Sequence, residues 1–237
     1  DSINLTITAD DINEAPTEVT LSSTTIAENS AADTVVGTLS ATDEDASNTH
    51  SFTLSGADAA KFAIVENELR LVSSLDHETD TDADTNGDYE VTVTASDSDG
   101  VASGSATDFT ITVDDINEAP VITGSAESFD ENVKGEVVYN LSASDVDDNT
   151  LTYSLSGDDA AKFEVIDDAG VKKLALKSGE SLDHEAGGYD VTVTVEDDGS
   201  PGHMSDFINL TITADDVNEA PTAVSLTSGG NIVSSVD

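Results

Sequence analysis

Apolar and polar residues alternate with period two along most of this chain, the pattern of strands that bury one face and expose the other. It is cleanest in Tyr89-Glu90-Val91-Thr92-Val93-Thr94-Ala95 and in Phe109-Thr110-Ile111-Thr112-Val113. Shorter runs at residues 19–21, 35–39, 51–54, 62–65 and 69–72 bring the strands of the first hundred-residue stretch to seven. Residues 62–65 and 69–72 read as a hairpin across Glu66-Asn67-Glu68, and Gly56-Ala57-Asp58-Ala59-Ala60-Lys61 before it as a short helical turn. The same order returns through residues 137–138, 151–155, 163–166, 174–176, 189–195 and 207–212. Seven short strands per hundred residues predict an all-β chain of tandem, seven-stranded Greek-key immunoglobulin-like β-sandwiches arranged end to end. Phe52, Phe62, Tyr89 and Phe109, with Tyr153, Phe163, Tyr189 and Phe207 as counterparts, are the expected core aromatics.

One heptapeptide punctuates the pattern three times: Asp10-Asp11-Ile12-Asn13-Glu14-Ala15-Pro16, Asp114-Asp115-Ile116-Asn117-Glu118-Ala119-Pro120 and Asp215-Asp216-Val217-Asn218-Glu219-Ala220-Pro221. Its asparagines lie 104 positions apart (117 minus 13) and then 101 apart (218 minus 117), one sandwich per period. Each copy closes an alternating run, and its Pro blocks a further ladder bond. The expected division is residues 1–16 as the last strand and linker of a preceding repeat, 17–116 and 117–217 as two full repeats, and 218–237 as the start of a third. Residues 3–11 match 208–216 residue for residue, which identifies them as a closing strand.

Fifty Asp and Glu against seven Lys and Arg give a formal charge of −43, which excludes nucleic acid and anionic membrane as electrostatic partners. The acidity is not that of a disordered tail, because the apolar residues keep their period and the carboxylates recur at fixed places. There is no cysteine, so no disulfide joins the repeats. No apolar run is long enough to span a bilayer.

Four acidic motifs recur in order between the linkers. They are Ala27-Glu28-Asn29 with Asp130-Glu131-Asn132, Asp43-Glu44-Asp45 with Asp145-Val146-Asp147, Leu75-Asp76-His77-Glu78 with Leu182-Asp183-His184-Glu185, and Ser96-Asp97 with Glu196-Asp197. In this order and ending in Asp-x-Asn-Glu, they resemble the calcium-binding signature of cadherin repeats, in the form seen in large bacterial surface proteins. The resemblance covers essentially the whole chain and implies cadherin-type sandwiches with three Ca2+ at each junction.

Carried over residue by residue, it implies that one junction takes Glu28, Asp76 and Glu78 from the upstream repeat. The linker adds Asn117, Glu118 and the carbonyl of Ile116, and the downstream repeat adds Asp145, Asp147 and Asp197, with Asn149 or Asp148 as a further oxygen. The partial sets are Asn13, Glu14, Asp43, Asp45 and Asp97 at the first linker, and Glu131, Asp183, Glu185, Asn218 and Glu219 at the third. Calcium suits such sets, since it accepts six to eight oxygens in loose geometry. Two carboxylates about 4 Å apart repel by roughly 4 kcal/mol at an effective dielectric of 20, so several converge only around a cation.

Two departures from the family pattern stand out. The animal linker, Asp-x-Asn-Asp-Asn-x-Pro, is here one residue shorter with Glu for the second Asp, and the Arg of Leu-Asp-Arg-Glu is His77 or His184, both read as structural. The first repeat also carries an insertion in which Asp82-x-Asp84-x-Asn86-Gly87 matches the first half of an EF-hand-type loop. Val93 stands where the twelfth-position Glu belongs.

No nucleophile elbow, phosphate loop or zinc-protease motif is present, so no enzyme is expected. The resemblance implies an extracellular, cell-surface segment of a bacterial adhesin, stiffened into a rod by calcium bound between neighbouring repeats. The alternative is that the repeats themselves bind another copy of the protein or a cell-surface polysaccharide.

Overall fold

The computed structural model describes residues 2–8, 10, 12–45, 49–79, 81–97, 104 and 106–221, and the backbone alone of 224–226 and 232–234. The chain is all-β, with two three-residue 3-10 turns as its helical content among the described residues. It divides into two units, Asp1–Ile116 and Asn117–Asp237.

The first unit contains β1 (Glu18–Leu21), β2 (Thr25–Ala27), β3 (Val35–Thr42), β4 (His50–Ser55), β5 (Phe62–Val65), β6 (Glu68–Leu71), β7 (Asp88–Asp97) and β8 (Ala106–Asp114). One sheet runs β1-β3-β6-β5 and the other β2-β8-β7-β4. Every second residue of β7 is buried from Tyr89 to Asp97, so the alternation in the sequence becomes one inward face. Phe62, Leu69 and Leu71 from one sheet meet Tyr89, Val91 and Ile111 from the other. The strand not anticipated is β2, three residues paired in parallel with the end of β8, which is too short for periodicity to register. It sets Glu28 beside Asp114, whose carbonyl accepts the Glu28 N–H at 2.9 Å.

The second unit repeats the plan with β9 (Val121–Ala126), β10 (Val137–Ser144), β11 (Thr152–Ser156), β12 (Phe163–Asp168), β13 (Val171–Leu176), β14 (Tyr189–Glu196) and β15 (Ser205–Ile212). Its sheets run β12-β13-β10-β9 and β11-β14-β15, around Phe163, Leu174, Leu176, Val191 and Val193. A two-stranded hairpin of β16 (Val224–Leu226) and β17 (Ile232–Ser234) follows. In both units the Leu-Ser-Gly before the 3-10 turn bends at a positive φ, Gly56 at +112 and Gly157 at +106. A Cβ there would stand 2.9 Å from the Glu90 or Asp190 carbonyl oxygen.

One expected core aromatic lies outside. Phe207 is 59% exposed, while Ile208 and Leu210 pack on the core and Ile212 is buried. Counting back in twos from Ile212 puts Phe207 on the outward face.

Candidate metal centre

Strand ends position the acidic residues. In the second unit β14 runs between two carboxylate groups, with Asp183 and Glu185 before its first residue and Asp197 after its last. Eight residues at about 3.3 Å each separate them by roughly 26 Å, so each unit carries one group at each end.

At the end that begins with the linker, Asn117 donates its side-chain amide to Asp197 Oδ2 at 3.2 Å and to the Gly202 carbonyl at 3.2 Å. It accepts from Asn149 Nδ2 at 2.9 Å. The Glu118 N–H binds Asp147 Oδ2 at 2.8 Å, and Asp147 N–H binds Asp145 Oδ1 at 3.0 Å. Asn117, Glu118, Asp145, Asp147, Asn149 and Asp197 are thus brought together. Asp145 Oδ2 and Asp147 Oδ1 are buried with no hydrogen-bond partner. Buried carboxylate oxygens are costly unless something neutralises them. Burial opposes ionisation of Asp197, but the N–H groups of Met204 and Gly199 and the Asn117 amide overcome it and hold its carboxyl below the usual range.

The first unit repeats the arrangement. Asn13 Nδ2 donates to Asp97 at 2.6 Å, the Glu14 N–H to Asp45 Oδ2 at 2.9 Å, and the Asp45 N–H to Asp43 Oδ1 at 2.8 Å. Asp43 Oδ2 is buried and unpartnered.

The opposite ends gather carboxylates more tightly. Glu131, Glu185, Asp216 and Glu219 present oxygens all within 4.8 Å of one another, and Glu28, Glu78 and Asp115 do the same in the first unit. Glu131 and Glu28 are buried, and each is pinned by two backbone N–H groups: Glu131 by His184 at 2.9 Å and Val217 at 2.8 Å, Glu28 by His77 at 3.0 Å and Ile116 at 2.7 Å. Those bonds, Val217 first, hold the Glu131 carboxyl below its ordinary value. Burial, then the charge of Glu131, pushes Glu219 up. Glu185 also rises: its own backbone N–H favours the charged form, but burial, the bond with Asp183 and the charges of Glu131 and Glu219 outweigh it. Burial likewise raises Glu78 against the lowering bond from His77.

Asp76 and Asp183 each give one oxygen to the turn that follows them. Asp76 Oδ1 accepts the Glu78 and Thr79 N–H groups at 3.1 and 3.2 Å, and Asp183 Oδ1 accepts that of Glu185 at 3.0 Å. Both shape the turn that carries the glutamate. Asn218 is exposed, its Nδ2 at 3.4 Å from the Glu219 carbonyl. The Ile116 N–H is committed to Glu28. The histidines of these turns differ: His184 Nδ1 meets the Ala214 carbonyl at 2.8 Å, whereas His77 Nδ1 meets Glu78 at 3.1 Å.

Asp115 and Asp216 were missed as site residues, although each is the second acid of the thrice-repeated heptapeptide. Gly199 was missed as well: a Cβ on it would stand 1.4 Å from Asn117 Oδ1, so only glycine lets the asparagine lie across the turn. The EF-hand-type insertion is organised by its own backbone. Asp82 is buried and accepts the N–H groups of Thr85, Asn86 at 3.1 Å and Gly87 at 2.7 Å, while Asp58 accepts that of Ala83 at 2.7 Å.

Known sequences and structures resemble this geometry over part or most of its length. Residues 22–114 match the cadherin domain. Cadherin domains are extracellular adhesion modules, not enzymes. The chain is 28% identical over 236 residues to Protocadherin gamma-A8 of Pan troglodytes, an alignment that covers 91% of this chain and 24% of that protein. It therefore spans about a quarter of that relative's length. EC1-2 of human Protocadherin-24 (Form II) superposes with a TM-score of 0.63 at 23% identity, covering 86% of this chain and all of that one, a likeness of fold. The EC3-6 segment of Protocadherin gammaB7, described as a cis-dimer, superposes with a TM-score of 0.56 at 26% identity over 85% of this chain and 48% of that one.

Proposed function

We propose that the chain is a calcium-binding stretch of successive cadherin-type repeats from an extracellular adhesin, in which ions held where repeats join stiffen the protein into a rod. Residues 17–116 and 117–217 are the two repeats, flanked by parts of their neighbours at 1–16 and 218–237. The observation that carries the reading is the set of buried, unpartnered oxygens on Asp43, Asp145 and Asp147, beside backbone bonds that fix the other oxygens of the same carboxylates.

The donor set fits the ion. It is almost all carboxylate and amide oxygen, hard ligands that suit Ca2+ better than a soft cation. Asn13, Glu14, Asp43, Asp45 and Asp97 would hold ions at one end of the first repeat and Glu28, Asp76, Glu78 and Asp115 at the other. Asn117, Glu118, Asp145, Asp147 and Asp197 would serve the second repeat, with Glu131, Glu185, Asp216 and Glu219 at its far end. The placement of the parent on a bacterial surface rests on the Asn-Glu-Ala-Pro linker and the −43 charge.

The test is calorimetric titration of Ca2+ into chelated protein, with thermal unfolding followed alongside. Saturable uptake of several ions with a clear rise in melting temperature is expected, and weak heats with an unchanged melting temperature would sink the reading. Small-angle scattering with and without chelator tests the rod. A second reading, contact between copies, is favoured by the likeness to the cis-dimeric gammaB7 segment. A rise in sedimentation coefficient with concentration would support it.

A further inference from the structure

We propose that His50 is a nitrogen ligand to the metal site of the first repeat, giving that site a preference for a borderline divalent cation such as zinc that the second repeat lacks. His50 Nε2 and Asp43 Oδ2 face each other at 3.6 Å. Both atoms are buried, and neither has a hydrogen-bond partner. The Asp43 side chain is only 3% exposed.

The separation is what singles the pair out. At 3.6 Å the two atoms are too far apart to share a hydrogen bond, and they form an ion pair only when the imidazole is protonated. Two donors each about 2.1 Å from a tetrahedral zinc stand about 3.4 Å apart, close to the spacing seen. The backbone holds both in place: His50 opens β4, paired with Asp97, and Asp43 follows β3, its Oδ1 taken by the Asp45 N–H at 2.8 Å. Asp43 therefore has one free oxygen, and it points at the imidazole.

The second repeat provides the internal contrast. Counting back from the shared Leu-Ser-Gly turn, six positions before Gly56 is His50 and six before Gly157 is Leu151. Leu151 packs against the apolar core. Asp145, the counterpart of Asp43, also has a buried unpartnered Oδ2, but the position that matches His50 holds Leu151 rather than an imidazole. An all-oxygen set selects calcium, whereas imidazole with carboxylate suits zinc and cobalt(II). The inference rests on Asp43 belonging to a metal-binding end, as proposed above.

The experiment compares the full 237-residue chain with His50→Leu, which installs the residue of the second repeat, and with His50→Gln, which keeps a polar side chain. Each is chelated and titrated with Co2+ followed by visible absorption, with Zn2+ followed by imidazole 15N shifts, and separately with Ca2+. The parent is expected to show Co2+ d–d bands and a zinc-dependent shift of one histidine. Both variants should lose these, with zinc bound at least about tenfold more weakly, the lower end of what loss of an outer-shell partner produces, while calcium uptake is kept. Unchanged Co2+ spectra and zinc affinity in both variants would overturn the inference and leave the calcium reading standing. Loss of the cobalt signal in a chain that takes up no calcium would overturn that reading and leave the His50 site standing.

Discussion

The carboxylate of Glu28 accepts the backbone N–H of Ile116 at 2.7 Å, across 88 residues of sequence, and its second oxygen takes the N–H of His77 at 3.0 Å. One buried side chain thereby ties the linker to the turn that carries Glu78. Replacing Glu28 with Ala strands two N–H groups, which costs about 1–3 kcal/mol for a buried unmatched group. The urea midpoint of Glu28→Ala should fall accordingly even in chelator. An unchanged midpoint there would mean that Glu28 serves only the metal.

A methyl group at Gly199 collides with Asn117, whose Oδ1 lies 1.4 Å from where the Cβ would be. Gly199→Ala should displace the Asn117 amide, weaken calcium binding at that end and destabilise the unit by about 1–3 kcal/mol through overpacking. Gly202 has nothing within 4 Å of its would-be Cβ, so Gly202→Ala is the matched control. Calorimetry on both separates loss of the site from a general effect of adding a methyl group to the loop.

Glu219 is the position where stability and metal binding should part company. Burial and the charge of Glu131 hold its carboxyl above the usual range. In chelator, Glu219→Gln removes a repulsive charge and should raise the melting temperature; in calcium it removes a proposed ligand and should lower both affinity and melting temperature. A variant that shifted both in the same direction would contradict the assignment.

The pH dependence follows from the same groups. For Glu219, Glu185 and Glu78 the folded value lies above the ordinary 4.5, so the folded state holds their protons more tightly than the unfolded chain does. Their ionisation lowers the stability of the metal-free protein as pH rises through the raised values, and acidification restores it. Glu131 acts in the opposite sense: its value is lowered, so the stability it contributes is present above 4.5 and lost as pH falls through its folded value. Metal-free protein should therefore be most stable in weak acid. Calcium, which requires ionised carboxylates, should move that maximum upward. Melting temperature against pH, with and without calcium, measures the difference.

Period-two patterning made the long strands legible where burial falls on alternate residues, as it does in β7 without a break. It could not expose β2, whose three residues are defined by a partner 87 positions away (112 minus 25). Where a motif repeats in phase, residues that the resemblance puts in one ligand set stand together: Asn117 donates to Asp197, and the Glu118 N–H to Asp147. What stayed hidden was backbone work. Asp76, Asp82 and Asp183 each give an oxygen to N–H groups of their own turns, a role that the sequence does not disclose. Gly199 matters only because of what lies above it.

Phe207 and Phe163 give the sharpest contrast for the core. Both are apolar, aromatic and in strands, but Phe163 is 1% exposed and Phe207 59%. Phe163 packs with Leu174, Leu176 and Val191, so Phe163→Ala removes a ring from a close-packed centre and should cost about 3–5 kcal/mol. Phe207 sits across from Thr194 on the outward face of β15, where its ring stays largely in water. Phe207→Ser should change stability by no more than about 0.5 kcal/mol, the range of ordinary surface substitutions. Paired urea melts of the two variants measure this. A large loss at Phe207 would mean that its ring is covered in solution, and a concentration-dependent midpoint in the parent alone would identify the cover as a second copy.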